Sequence, residues 1–120
     1  LVCAPGGKVG EVGQADLIQP SDIDRVSAYA TTAQFYGFKL IYLEAGSGAK
    51  TPVSPNLIRA ARDSCNLTIV VGGGIRDAQT ARLASKAGAD WIVTGNLAEE
   101  YDNADELQEI LTKFILEMNQ

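Results

Sequence analysis

Histidine is absent from the 120-residue chain, and cysteine, tryptophan and methionine are scarce, at two, one and one. Without an imidazole, acid–base and ligand roles fall to carboxylates. Cys3 and Cys65 form neither a disulfide framework nor a metal-ligand spacing. A reduced, cytoplasmic setting is the corresponding expectation. No apolar run approaches the roughly 18 residues of a membrane span, so no transmembrane segment is expected. No secretory signal is visible and there is no initiator methionine. The opening LVCAP reads as a strand fragment and a turn from the middle of a protein, so a missing N-terminal part is expected. Basic charge is also short, with 10 Lys and Arg against 15 Asp and Glu, a net charge of -5 and a sequence pI near 4.6. That balance disfavours nucleic acid and anionic lipid as partners. A local anion site remains open, because backbone N–H groups make one without net charge.

What the chain does contain is apolar residue in short, punctuated blocks. Hydrophobic residues make up 46% and charged residues 21%, which suits one soluble core. Ile23, Val26, Ala30 and Ala33 recur at helical spacing after Ser21, a candidate N-cap, and Gly37 closes that helix. KLIYL follows as a short continuous run of the kind buried in parallel sheets. Ser54-Pro55 reads as N-cap and first helical position of NLIRAARDSC. LTIVV is a second strand, broken by GGGIR. Asp77 starts DAQTARLASKA, and Gly88 closes it. DWIVT is a third strand, stopped at Gly95-Asn96. A last amphipathic helix is expected from about Asp105 to Met118, with Leu107, Ile110, Leu111, Phe114 and Ile115 on one face.

Helices and strands alternate at roughly 25-residue intervals. Gly37-Phe38-Lys39 feeds LIYLE as Gly88-Ala89-Asp90 feeds WIVTG, which marks an internal repeat. Repeated βα units imply an α/β fold with a parallel sheet, either open and doubly wound or part of a (β/α)8 barrel. No linker divides residues 1–120, which read as a single segment.

In such folds chemistry gathers at the C-terminal strand ends. Here these ends are Glu44-Ala45-Gly46-Ser47-Gly48, Gly72-Gly73-Gly74-Ile75 and Gly95-Asn96. Glycine leaves backbone N–H groups open to a ligand, and the helix after each loop adds unsatisfied donors. The expected ligand is a small phosphate ester. Charged hydrogen bonds contribute about 1.5–3 kcal/mol each, and three or four suffice for micromolar-to-millimolar binding. Gly37 and Gly88 read as helix caps only. VGGGIRDAQ lacks the dinucleotide-binding spacing. Glu44 has two readings: a structural carboxylate that caps a helix or pairs with arginine, or a group that takes a hydroxyl proton or orients a polyol. Tyr42 shares its face, and Ser47 lies beyond it. Lys8, Lys50 and Arg76 read as solvated surface, with Arg76 best placed of the three to meet an anion.

Together YLEAGSG, VVGGGIR and IVTGN resemble the geranylgeranylglyceryl phosphate synthase family of archaeal prenyltransferases. The bacterial heptaprenylglyceryl phosphate synthases share much of the pattern, but QFYGFKLIYLEAGSGA and SPNLIRAAR fit the archaeal form better. PGGKVGEVGQADLI resembles the family's loop after its fifth strand. The resemblance implies the C-terminal half of a (β/α)8 TIM barrel, about strands five to eight. It implies an sn-glycerol 1-phosphate site at Tyr42, Leu43, Glu44, Ala45, Gly46, Ser47 and Gly48, with Gly73, Gly74, Gly95 and Asn96. The reaction implied is transfer of a geranylgeranyl group from its diphosphate to the C3 hydroxyl of glycerol, the first ether link of archaeal lipids. Glu44 would hold the hydroxyls or accept the proton, and Tyr42 would wall or hydrogen-bond the polyol. Magnesium is implied as cofactor, with its carboxylate ligand on a first strand that this chain lacks; Asp16, Asp22 and Asp24 read as loop and helix-start residues. The chain alone is therefore expected to bind glycerol phosphate without catalysing, and to need a complementary half or self-association. The alternatives are another phosphate-binding barrel, for example from histidine or tryptophan biosynthesis, and a non-catalytic half-barrel module.

Overall fold

The computed structural model describes residues 1–119. Its elements are α1 (Gly7–Val12), α2 (Ile23–Phe35), β1 (Leu40–Glu44), α3 (Pro55–Ser64), β2 (Thr68–Gly72), α4 (Ala78–Ala87), β3 (Trp91–Val93), α5 (Asn96–Glu99) and α6 (Ala104–Met118). The strands form one parallel sheet in the order β1-β2-β3. Tyr42 stands beside Val70 and Val70 beside Trp91; Glu44 stands beside Gly72 and Gly72 beside Val93. The opening residues extend the sheet past β1. Val2 bridges Glu44 in parallel, the Cys3 N–H donates to the Glu44 carbonyl at 2.8 Å, and the Glu44 N–H donates to the Leu1 carbonyl at 2.9 Å. LVC is thus the end of a fourth strand, and four parallel strands with outer helices make half a (β/α)8 barrel.

Side-chain alternation decides which face is covered. Ile41, Leu43, Ile69 and Val71 are buried in one core with Leu57, Ile58 and Ala61 of α3 and Ala81, Ala84 and Ala87 of α4. The alanines let α4 lie close to the sheet. The opposite face carries Leu40, Tyr42, Val70, Trp91 and Val93. Only Val70 of these is buried, while Leu40, Trp91 and Val93 are 47%, 65% and 44% exposed. This is the inner wall of the barrel, open in the half.

Local signals act largely as read. The Ser54 hydroxyl accepts from the Asn56 N–H ahead of Pro55, and Asp77 accepts from the Thr80 N–H. Gly37 and Gly88 both take left-handed angles, φ 81° and 119°. Behind them Phe38 and Ala89 each donate five residues back, to Ala33 and Ala84, so the repeat ends its helices in one and the same motif. Three readings need correction. Asp22, not Ser21, is the N-cap of α2, and its side chain instead accepts the Gln19 N–H at 2.9 Å, closing the preceding turn. Ile115 is exposed, and Met118 takes its place on the half-buried face of α6. The PGGKVGEVGQADLI loop contains the short helix α1, and α5 starts directly at Asn96.

Candidate functional site

Tyr42, Glu44, Ser47, Gly73, Gly74, Ile75, Val93, Thr94, Gly95 and Asn96 line one cavity of about 180 Å³ at the C-terminal rim. Seven of these ten were named as ligand-site residues from the sequence; Ile75, named only as a strand-end residue, and Val93 and Thr94 were not. A larger hollow of about 610 Å³ lies along α6, from Asp105 to Glu117. It is an open surface of one helix and gathers no strand-end residue, so the rim cavity is the candidate site. Leu43 and Ala45 are fully buried and do not line the cavity; Leu43 points into the core. Gly46 and Gly48 shape the loop around it.

The rim is built by close approach of three loops. A Cβ on Gly46, at φ 101°, would come within 2.7 Å of the Gly6 carbonyl and the Gly7 nitrogen. One on Gly73, at φ 86°, would lie 2.6 Å from Glu44 Oε1 and 2.7 Å from Gly46 backbone atoms. One on Gly74 would press on Ala49 and Pro52 at 3.0 Å. These glycines therefore admit neighbouring loops as well as leaving the cavity open. Among the described residues, the N–H groups of Gly73, Gly74, Gly95 and Asn96 donate to no acceptor in the chain. Four free donors around one small cavity suit an anion.

The polar side chains are fixed by those loops. Glu44 Oε1 accepts the Gly46 N–H at 2.6 Å. Asn96 Oδ1 accepts the Gly48 N–H at 3.1 Å, and the Arg76 guanidinium donates to the Gly48 carbonyl at 3.0 Å. Arg76 is thus a latch on the glycine loop rather than free surface. Thr94 donates to the Ile75 carbonyl at 2.7 Å, tying the end of β3 to the loop after β2. The Tyr42 phenol is pushed up to about 12, chiefly by burial and then by the Glu44 carboxylate beside it. At neutral pH it is a hydrogen-bond donor. Thr94 had a sequence signal, since it is the polar residue that ends the apolar block DWIVT. The Arg76 latch had none, because it joins residues 28 apart in sequence.

Magnesium finds no ligand set here. Among the described residues no three His, Cys, Asp or Glu side chains gather closely enough to hold a metal ion. The residues present do not fit that ion.

The parallel half-barrel with a polar, glycine-walled cavity at its strand ends defines an α/β chain of the (β/α)8 class. The chain matches the PcrB family over residues 1–114, and it belongs to that family. It is 50% identical over 103 residues to the geranylgeranylglyceryl phosphate synthase of Thermoplasma volcanium, covering 86% of this chain and 41% of that protein. It is 52% identical over 101 residues to the enzyme of the same name from Methanothrix thermoacetophila, covering 83% and 40%. A solved structure of the Thermoplasma acidophilum synthase, in complex with sn-glycerol-1-phosphate, superposes with a TM-score of 0.90 at 41% identity, over 98% of this chain and 47% of that one. The chain spans less than half the length of the curated relatives it matches. Family membership removes the histidine- and tryptophan-pathway barrels from consideration.

Proposed function

We propose that this chain forms the glycerol phosphate site of a geranylgeranylglyceryl phosphate synthase-type prenyltransferase. One observation carries the reading. A single cavity gathers Tyr42, Glu44 and Ser47 with Gly73, Gly74, Gly95 and Asn96, whose N–H groups donate to no acceptor among the described residues. The backbone donors take the phosphate. Glu44 cannot assist there, because like charges repel, so it takes the glycerol hydroxyls, with Tyr42 donating alongside. That the Thermoplasma acidophilum relative is solved in complex with sn-glycerol-1-phosphate supports the choice of ligand.

In the assembled enzyme the C3 hydroxyl oxygen attacks the first carbon of geranylgeranyl diphosphate. A carbon–oxygen bond forms, the bond to diphosphate breaks, and diphosphate departs with the electron pair. Glu44 orients the hydroxyl and is the nearest base for its proton. Magnesium, which would offset the diphosphate charge, is assigned to the part of the enzyme outside this chain. We also assign the open inner wall at Leu40, Trp91 and Val93 to contact with a complementary half barrel, whose absence leaves the isolated chain inactive. A cytoplasmic setting is part of the proposal, in line with two free, buried cysteines; among the described residues no helix is long and apolar enough to cross a membrane.

Calorimetric titration of the chain with sn-glycerol 1-phosphate tests the site. Dissociation constants from micromolar to millimolar are expected, equivalent to roughly 4–8 kcal/mol. A folded chain that binds neither this ester nor inorganic phosphate overturns the assignment. Co-expression with the first half of a relative tests the enzyme, by formation of the prenyl ether.

A further inference from the structure

Gly72 is the one member of the GGG run that does not line the cavity, yet it has a defined neighbour there. It lies on the inner face of β2, directly beside Glu44, and the residue two before it, Val70, stands beside Tyr42. Diagonal neighbours in a sheet lie within reach of an aromatic side chain. Tyr42 uses that diagonal. Its ring leans toward the rim and covers the place where a side chain of residue 72 would stand. A Cβ there would overlap the Tyr42 hydroxyl and lie 3.1 Å from two ring carbons.

Unlike Gly73 and Gly74, at φ 86° and 73°, Gly72 is not among the positive-φ residues. Left-handed backbone geometry therefore does not require glycine at this position. What requires it is the ring. We propose that Gly72 is a positioning residue, whose missing side chain seats the Tyr42 phenol beside Glu44 at the floor of the cavity. This rests on the glycerol phosphate reading for its functional consequence, but not for the placement itself. With any larger residue at 72, Tyr42 would have to stand away from the strand, and its hydroxyl would leave the polyol side of the site. The anion donors on Gly73, Gly74, Gly95 and Asn96 would be untouched. The inference therefore separates two parts of one ligand: Gly72 serves the alcohol end through Tyr42, and its neighbours serve the phosphate.

Two measurements on the chain test this. The first needs no ligand. In the proton NMR spectrum the Gly72 Hα facing the ring should show a nuclear Overhauser effect to the Tyr42 Hε protons, and the effect should vanish in Tyr42→Leu. The second compares sn-glycerol 1-phosphate with inorganic phosphate by calorimetry. Gly72→Ala should weaken the ester about three- to tenfold, the worth of one hydrogen bond, and leave inorganic phosphate unchanged. Tyr42→Phe should cause a similar loss, and the double variant no further loss, because both act through one hydroxyl. Should Gly72→Ala fold poorly, the double variant, which lacks the hydroxyl that is first to clash, should recover folding. No Overhauser effect between the Gly72 Hα and the Tyr42 ring, or additive losses, overturns the inference. A wild-type chain that binds neither probe overturns the glycerol phosphate reading instead, and the Overhauser contact still decides where the ring lies.

Discussion

Gly37 and Gly73 form a natural matched pair. Their backbone angles are nearly the same, φ 81° and 86°. Around Gly37 an added Cβ would meet nothing within 4 Å, whereas at Gly73 it would meet Glu44 Oε1 at 2.6 Å and Gly46 backbone at 2.7 Å. Gly37→Ala should therefore cost only the left-handed penalty, about 1–2 kcal/mol. Gly73→Ala carries the same penalty and must also displace a carboxylate from its hydrogen bond to Gly46, worth roughly 1.5–3 kcal/mol for a charged partner. The expected total is about 2.5–5 kcal/mol, roughly two and a half times the Gly37 effect. Urea unfolding followed by circular dichroism measures both, and equal slopes would show that the unfolded states are comparable. Calorimetry adds a second contrast: Gly37→Ala should keep glycerol phosphate binding and Gly73→Ala should lose it. If the two substitutions destabilise equally, the close loop approach is not what glycine provides at 73, and the account of the rim is wrong.

Glu44→Gln keeps an acceptor for the Gly46 N–H but removes the charge; in an enzyme completed with a first half, turnover should fall roughly 10²–10⁴-fold, with phosphate affinity changed much less. Asn96→Ala removes the acceptor of the Gly48 N–H and should loosen the glycine loop, seen as faster amide exchange at Gly48 and a cost of about 0.5–1.5 kcal/mol. Asp90 accepts the buried Ile69 N–H at 2.8 Å and also pairs with Arg62, so Asp90→Ala should destabilise by about 1–3 kcal/mol; an unchanged urea midpoint would refute this. Tyr42 has its pKa raised from 10.0 to about 12. The folded state thus holds that proton more tightly, and its stabilising contribution is complete below pH 10 and is lost as pH climbs through 12. Tyr42→Phe should flatten that part of the profile, measured against wild type so that the raised Cys3 thiol cancels.

The helix ends were legible because their chemistry is local. Ser54-Pro55, Asp77, Gly37 and Gly88 act within one turn of themselves, so neighbouring residues suffice to read them. The strands were legible as apolar blocks, and their polarity relative to the rim followed from alternation, which placed Tyr42 and Glu44 on one face. Asp22 was missed as N-cap because Ser21 offers the same capping chemistry one residue earlier, while the Asp22 side chain closes the turn from Gln19 instead of capping the helix. Ile115 was misplaced because 3.6-residue spacing permits either Ile115 or Met118 on the buried stripe, and only the docking of α6 against the core decides. The gathering of the three glycine motifs could be inferred from the repeat. What each glycine accommodates could not, since Gly6 against Gly46, Gly46 against Gly73 and Gly72 against Tyr42 are contacts between separate βα units.

The hydrogen bond from the Gly46 amide to Glu44 has a consequence for kinetics. An acid side chain on a strand tip would ordinarily sample several rotamers, and a glycine-rich loop many shapes. Here each immobilises the other, so a visiting alcohol meets an acceptor that is already aimed. Turning the carboxyl group away would unhook the glycine loop, so the aim of the acceptor is a property of the empty protein.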